Sequence, residues 1–276
     1  MTADIFASQP ADEDRLAELY DLEHDDVVED LPFYRELARH AAGPVLDLGC
    51  GSGRLFATLL ETGAPRILGI DGSGALLRRA EVRIAGDELL AEAVRDGRLA
   101  TMRGDVRAIS TLNIRERFDL AITVGVLPHL NGPEDALRLL GGARSVLARG
   151  GRLVIDDLGP AEMPARDMPL SVDWRRTLGG REVVRRSELV RRETPEGLRV
   201  AFSTIADAVQ PDGTIARLPA SHELWYPSPE ALAALVRQAG MVVELSYGSH
   251  DLEPLGRESV RRIFVVAYEP AAARFA

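Results

Sequence analysis

Residues 45–54 read VLDLGCGSGR: an apolar run carrying one acid, then glycines at 49, 51 and 53. Glycine gives up more backbone freedom on folding than any other residue and enters the left-handed region without a Cβ clash. Three on alternate positions, between an apolar run and a helix-period stretch, specify a tight strand-to-helix turn where a ligand can approach the backbone closely. Such a turn near the start of the chain commits the residues downstream to an α/β architecture.

Apolar runs alternate with helix-period segments over the first 160 residues, the pattern of a parallel sheet covered on both faces. Strands are expected near 44–48, 66–70, 98–103, 118–124 and 151–156, and helices over 53–62, 74–95 (with a break at Gly86) and 134–148. Asp30 is placed to cap a helix from Pro32 to Ala42. After Asp157 the texture changes: β-rich runs separated by LGG, PEG and PDG turns between about 171 and 226 read as an antiparallel insert of three or four strands. Ser228 then caps a helix with Pro229 in its first turn and Gly240 at its end, and MVVELSYG and RRIFVVAYE supply two last strands. The expected division is an N-terminal helical lid over 1–42, a core over 43–160, the insert over 161–226 and a return to the core over 227–276.

A net charge of −10 argues against broad nucleic-acid binding. The lone Cys50 excludes an internal disulfide framework, and no metal site is expected. No run approaches eighteen apolar residues and the acidic start MTADIFASQPADEDR lacks an apolar stretch, so the expectations are no membrane and cytoplasmic residence.

The glycine turn alone allows several nucleotide ligands. Asp71 closes the second strand eighteen positions after Gly53, where a carboxylate can accept both ribose hydroxyls; the competing reading makes it a helix cap, with Ser73 as rival. Asp105 ends the third strand. Asp47, two residues before the turn, would repel a pyrophosphate but suits an ammonium group, so a ligand with adenosine at one end and an amino acid at the other fits best.

These residues resemble the motifs of class I S-adenosylmethionine-dependent methyltransferases: VLDLGCGSGR their first motif, LGIDGS the ribose motif, GDVRAI the adenine motif, FDLAITVGVLPHL the fourth and LARGGRLVIDD the fifth-strand turn, with Arg149 where proline is common. The resemblance implies a Rossmann-like, seven-stranded, mostly parallel sheet with helices on both faces, plus the antiparallel insert after the fifth strand. It implies S-adenosyl-L-methionine as methyl donor and S-adenosyl-L-homocysteine as product. Gly49, Gly51 and Gly53, with Cys50 in their loop, would pack on the methionine and ribose part. Asp47 would orient the ammonium, Asp71 and Gly72 the ribose, and Asp105 with Val106 the adenine. Thr123 and Val124 would supply backbone near the sulfonium, while Cys50 is read as packing.

His129 follows the fourth strand and is the first candidate for a base, unless it only caps the helix near Pro133. Tyr20 in ELYDLEHDD is the second, unless it merely packs under the lid. That segment, a histidine after the fourth strand, the β-rich insert and WYPSPEALAALVRQAGM are similar to sugar N-methyltransferases acting on nucleotide-linked amino sugars, and to glycine-type relatives. In that reading Tyr34, Trp174, His222 and Trp225 wall the acceptor pocket, although the tryptophans would equally fill the interface between insert and core. The basic run Arg181, Arg185, Arg186, Arg191 and Arg192 either receives an acidic substrate or forms a solvated face. The expected partner is a small-molecule acceptor, N-methylated in preference to O-methylated; a protein acceptor, a cofactor-binding protein without transfer, and a homodimer stay open.

Overall fold

A computed structural model describes residues 12–163, 165–178 and 180–268. Two sheets carry the chain. The larger has seven strands in the order β10-β11-β5-β4-β1-β2-β3, formed by β1 (Val45–Leu48), β2 (Ile67–Asp71), β3 (Leu99–Arg103), β4 (Phe118–Val124), β5 (Leu147–Leu158), β10 (Met241–Tyr247) and β11 (Arg261–Tyr268). The first five pair in parallel and β11 runs antiparallel to both β5 and β10. Every side chain of β1 is buried, as a central strand covered on both faces requires.

One layer holds α2 (Leu31–His40), α3 (Phe56–Leu60), α4 (Gly74–Gly86) and α5 (Glu88–Arg95), and the other α6 (Pro133–Val146) and α7 (Pro229–Gln238). The expected 74–95 helix does break at Gly86, because Asp87 turns extended and its carboxylate accepts the Leu90 amide to cap α5. Ser228 caps α7 through the Ala231 amide. Two expectations are corrected. The helix after the glycine turn is short, starting at Phe56 because Gly53 stays left-handed at φ 78°. The Asp30 side chain caps nothing; it forms a two-pronged ion pair with Arg54 at 2.8 and 2.6 Å, so a stronger charged donor takes the carboxylate from the helix amides.

The insert is a four-stranded antiparallel sheet in the order β6-β7-β8-β9: β6 (Met168–Leu178), β7 (Arg181–Thr194), β8 (Gly197–Val209) and β9 (Ile215–Tyr226). Between it and the core lies α1 (Asp12–His24). Arg79 and Arg83 of α4 hold Asp21 and Asp25 of α1 at 2.7 and 2.5 Å. On its other side Leu19 joins Leu178, Val183, Ala206 and Leu218 in a small apolar cluster. Glu23 accepts from the Trp174 indole at 3.1 Å and pairs with Arg185 at 2.5 Å.

Candidate active site

A cleft of about 1120 Å³ opens where the C-terminal ends of β1, β2, β3 and β4 meet α1 and the insert. Gly49 and Gly51 form its floor, at φ 77° and 56°. A Cβ on Gly49 would lie 2.3 Å from Cγ2 of Val126, so both conformation and space demand glycine there. Gly53 is a correction: it faces the Phe56 ring, where a Cβ would come within 2.4 Å, and it does not line the cleft. Its absent side chain lets the helix pack against the turn.

Asp71 lines the cleft and accepts the Gly51 amide at 2.8 Å and the Ser73 amide at 2.7 Å, one on each oxygen. A carboxylate oxygen has two lone pairs, so each keeps one for a hydroxyl. The cap of α4 is Ser73, which settles that competition. Asp105 is gripped by Arg107 through Nε at 2.9 Å and Nη2 at 2.7 Å, and this hydrogen-bonded guanidinium holds its carboxyl below the ordinary range. Arg107 reaches on to Asp135 at 3.1 Å, a pairing not expected from the sequence. Gly72 and Val106 also line this end.

Asp47 is 3% exposed and forms no side-chain hydrogen bond among the described residues. Burial, and then the nearby negative charge of Asp71, push its carboxyl up to about 7 against the opposing pull of Arg54. Cys50 packs in the core with its thiol pushed up by burial, and Thr123 is buried with an unpartnered Oγ1; neither lines the cleft, whereas Val124 does.

At the other end stand Tyr20, His129 and His222. Tyr20 stacks on His24 with centroids 3.9 Å apart, and its ring edge lies 3.9 Å from where a Cβ on Gly51 would sit. The exposed part of its ring faces the cleft, and burial raises its phenol, so it remains a donor at neutral pH. His129 sits in a short 3-10 turn, Leu127–His129, and the cap of α6 is Gly132. Burial first, then the neighbouring His222, lower its imidazole from the ordinary value despite Asp71. The two rings meet edge to face with centroids 5.8 Å apart. Phe202, Thr204 and Asn131, not expected as pocket residues from the sequence, complete this end together with Arg185, the member of the basic run that lines the cleft.

Three expected wall residues lie elsewhere. Tyr34 is fully buried and donates its hydroxyl to Asp156, which also holds His250 at 2.8 Å and Arg261 at 2.5 Å. Trp225 is fully buried against the α6–α7 layer and donates to the Glu196 carbonyl at 2.9 Å. Trp174 anchors α1 through Glu23 and does not reach the cleft. Trp225 therefore serves packing, its indole N–H finding a partner away from the cavity, while the Trp174 indole donates to Glu23 of the cleft wall and ties β6 to α1. Among the described residues no cluster of three metal-ligating side chains forms and no helix is long and apolar enough to cross a membrane.

A glycine turn under a cleft, acids at successive strand ends and an antiparallel lobe beyond the fifth strand define the class I S-adenosylmethionine-dependent methyltransferase. Residues 45–151 match the family model described as a methyltransferase domain, Methyltransf_25. The fold resembles the CcbJ methyltransferase of Streptomyces caelestis (TM-score 0.70, 20% identity, 95% of this chain and 100% of that one). It also resembles the sugar N-methyltransferase KedS8 of Streptoalloteichus sp ATCC 53650 (TM-score 0.69, 21% identity, 91% and 93%). At these identities the likeness is one of fold. A tRNA U34 carboxymethyltransferase of Shewanella loihica is 35% identical over 116 residues, 41% of this chain and 31% of that protein, so the match spans under a third of the relative.

Proposed function

We propose that the chain transfers a methyl group from S-adenosylmethionine to an amine of a small molecule, of the amino-sugar or natural-product kind. The observation that carries this reading is the cleft: nucleotide-type groups at one end, two imidazoles and a phenol at the other, with residues of α1 and the insert lining it. The fit to the donor rests on Asp47, a buried carboxylate without a hydrogen-bond partner, which suits an ammonium, and on the two free lone pairs of Asp71, which suit a diol.

When bound, the donor supplies an electrophilic methyl on a sulfonium: the amine lone pair forms the N–C bond as the C–S electrons go to sulfur. The protein's share is alignment and proton handling. Gly49 and Gly51 admit the donor against the backbone, and Asp47, Asp71 and Asp105 with Val106 fix its polar groups. His129, neutral at pH 7 because its pKa is lowered, takes the amine proton at a ring nitrogen. Tyr20 donates from the lid and helps exclude water.

The likeness to a tRNA-modifying relative supports a second reading, in which the acceptor is a tRNA base. The net charge of −10 weighs against it. Labelled donor is incubated with nucleotide-linked amino sugars, other small amines and bulk tRNA. Label should move to a small amine with release of S-adenosylhomocysteine; transfer to tRNA alone would sink the first reading and establish the second.

A further inference from the structure

The turn after β4 brings two polar side chains to the cleft, of which only His129 handles the proton. Leu130 is extended, at φ −83° and ψ 149°, and turns into the core at 4% exposure. Its neighbours His129 and Asn131 share the other side of the chain, and both line the cleft. Two residues of extended chain separate their Cα atoms by about 6.6 Å, so one small acceptor can meet both side chains.

Asn131 is held from two sides. The Asp135 carboxylate, buried in the first turn of α6, accepts its backbone N–H at 3.2 Å and its side-chain Nδ2–H at 2.8 Å. Arg107 reaches the same carboxylate through Nη1 at 3.1 Å while its Nε and Nη2 grip Asp105, so this anchor is continuous with the adenine end. From the insert, Arg199 of β8 donates to the Asn131 carbonyl at 2.6 Å. It passes over Gly132, at φ 148°, where a Cβ would lie 3.1 Å from its Nη2. Capping α6 would need only the backbone N–H, yet Asp135 also fixes the side-chain amide. A carboxylate accepts and does not donate, so Nδ2 faces Asp135 and the amide oxygen Oδ1 is turned elsewhere. No described residue donates to Oδ1. Arg107 and Arg138 already balance the charge of Asp135, so Asn131 offers the cleft a neutral acceptor in a fixed orientation.

We propose that Asn131 determines specificity at the acceptor end: its Oδ1 accepts a hydrogen bond from a hydroxyl beside the reacting amine, and Asp135 is its positioning residue. The acceptor is then an amino alcohol, with its amine at His129 and the neighbouring O–H at Asn131. A neutral carbonyl oxygen suits a neutral O–H, whereas a second ammonium would call for a free carboxylate. This assignment rests on the methyl-transfer reading above.

Labelled donor with trans-2-aminocyclohexanol and cyclohexylamine, a pair that differs by one hydroxyl, tests it. The wild type should favour the amino alcohol in kcat/KM by about tenfold, the size of one neutral hydrogen bond, carried mainly by KM. Asn131→Ala should erase that preference without moving donor affinity or the pH profile. Asp135→Asn lets the amide turn and should reduce the preference as well, but it should change nothing further in the Asn131→Ala background. A purely structural loss at the α6 cap would instead add in the double variant. Equal kcat/KM for the pair in the wild type, a preference that survives Asn131→Ala, additive losses in the double variant or transfer to neither amine overturns the proposal. The methyl-transfer reading fails separately, when label reaches tRNA and no small amine at all.

Discussion

The two ends of the cleft are built by different means. The donor end is made of backbone and short acids at the tips of adjacent parallel strands, so its geometry follows from the sheet itself. The acceptor end is assembled from three separate places: α1, the turn after β4 and the cleft face of the insert. An end built on one rigid element should lose affinity when a group is removed but keep its shape. An end assembled from remote elements should lose rate and selectivity, and should respond to whatever holds those elements together.

The largest effect is expected at the acceptor end. His129→Ala should lower kcat by about 10²- to 10⁴-fold if the ring takes a proton in the rate-limiting step, with donor affinity little changed. Because burial and His222 lower its pKa, the acid limb of the wild-type rate profile should fall below the ordinary histidine value of 6.5, and His222→Ala should move that limb upward. Steady-state kinetics from pH 5 to 9 check both; a profile unmoved in either variant removes His129 as the base.

At the donor end, Asp71→Ala removes two hydroxyl acceptors and strands the Gly51 and Ser73 amides. Each lost partner of a buried group is worth about 1–3 kcal/mol, so donor affinity should fall by roughly 10²-fold or more in calorimetry. An affinity within threefold of wild type would break the contrast between the two ends.

Asp47 sharpens the contrast through pH. Its carboxyl sits at about 7 in the free protein, above the ordinary 3.8, so below pH 7 it is increasingly protonated and cannot hold an ammonium. Donor affinity should therefore drop as pH falls, by up to about tenfold per unit below 7. Fold stability runs the opposite way: a carboxyl raised on folding favours the folded state at low pH, and this contribution is lost as pH rises through 7. Asp47→Asn should then stabilise the free protein at pH 8, weaken donor binding there and flatten its pH dependence.

Legibility in the sequence divides the same way. Asp71 sits where the spacing from Gly53 placed it, and Ser228, Pro229 and the break at Gly86 are local signals that the structure honours, since each depends on a few neighbours. The acceptor end was legible in part. His129 and His222 come together, but nothing in the strings around them says that strand β9 passes over the turn after β4. Tyr34 and Trp225 were misplaced for one reason: an aromatic side chain does not announce which side of its element meets a cavity, and both met the core. Arg185 and Arg186 show the limit most plainly, since adjacent residues of one basic run go to opposite faces, one into the cleft and one away from it.

The smallest effect expected is at the latch between α1 and the insert. Glu23 joins Trp174 and Arg185 there, yet Arg185 keeps Asp173 as a second partner, and α1 stays tied to α4 by Asp21 and Asp25. Glu23→Gln therefore removes one partly exposed ion pair among several, worth about 0.5–1 kcal/mol. Thermal stability should change by a few degrees at most. The acceptor KM should rise a few-fold, since the wall that positions the acceptor loosens, while donor affinity and kcat stay near wild type. Salt should reproduce the change in the wild type and add little in the variant, because both weaken the same attraction. A fall in donor affinity of equal size would mean that α1 serves both ends alike, and the acceptor end would then be no more dependent on its latches than the donor end is.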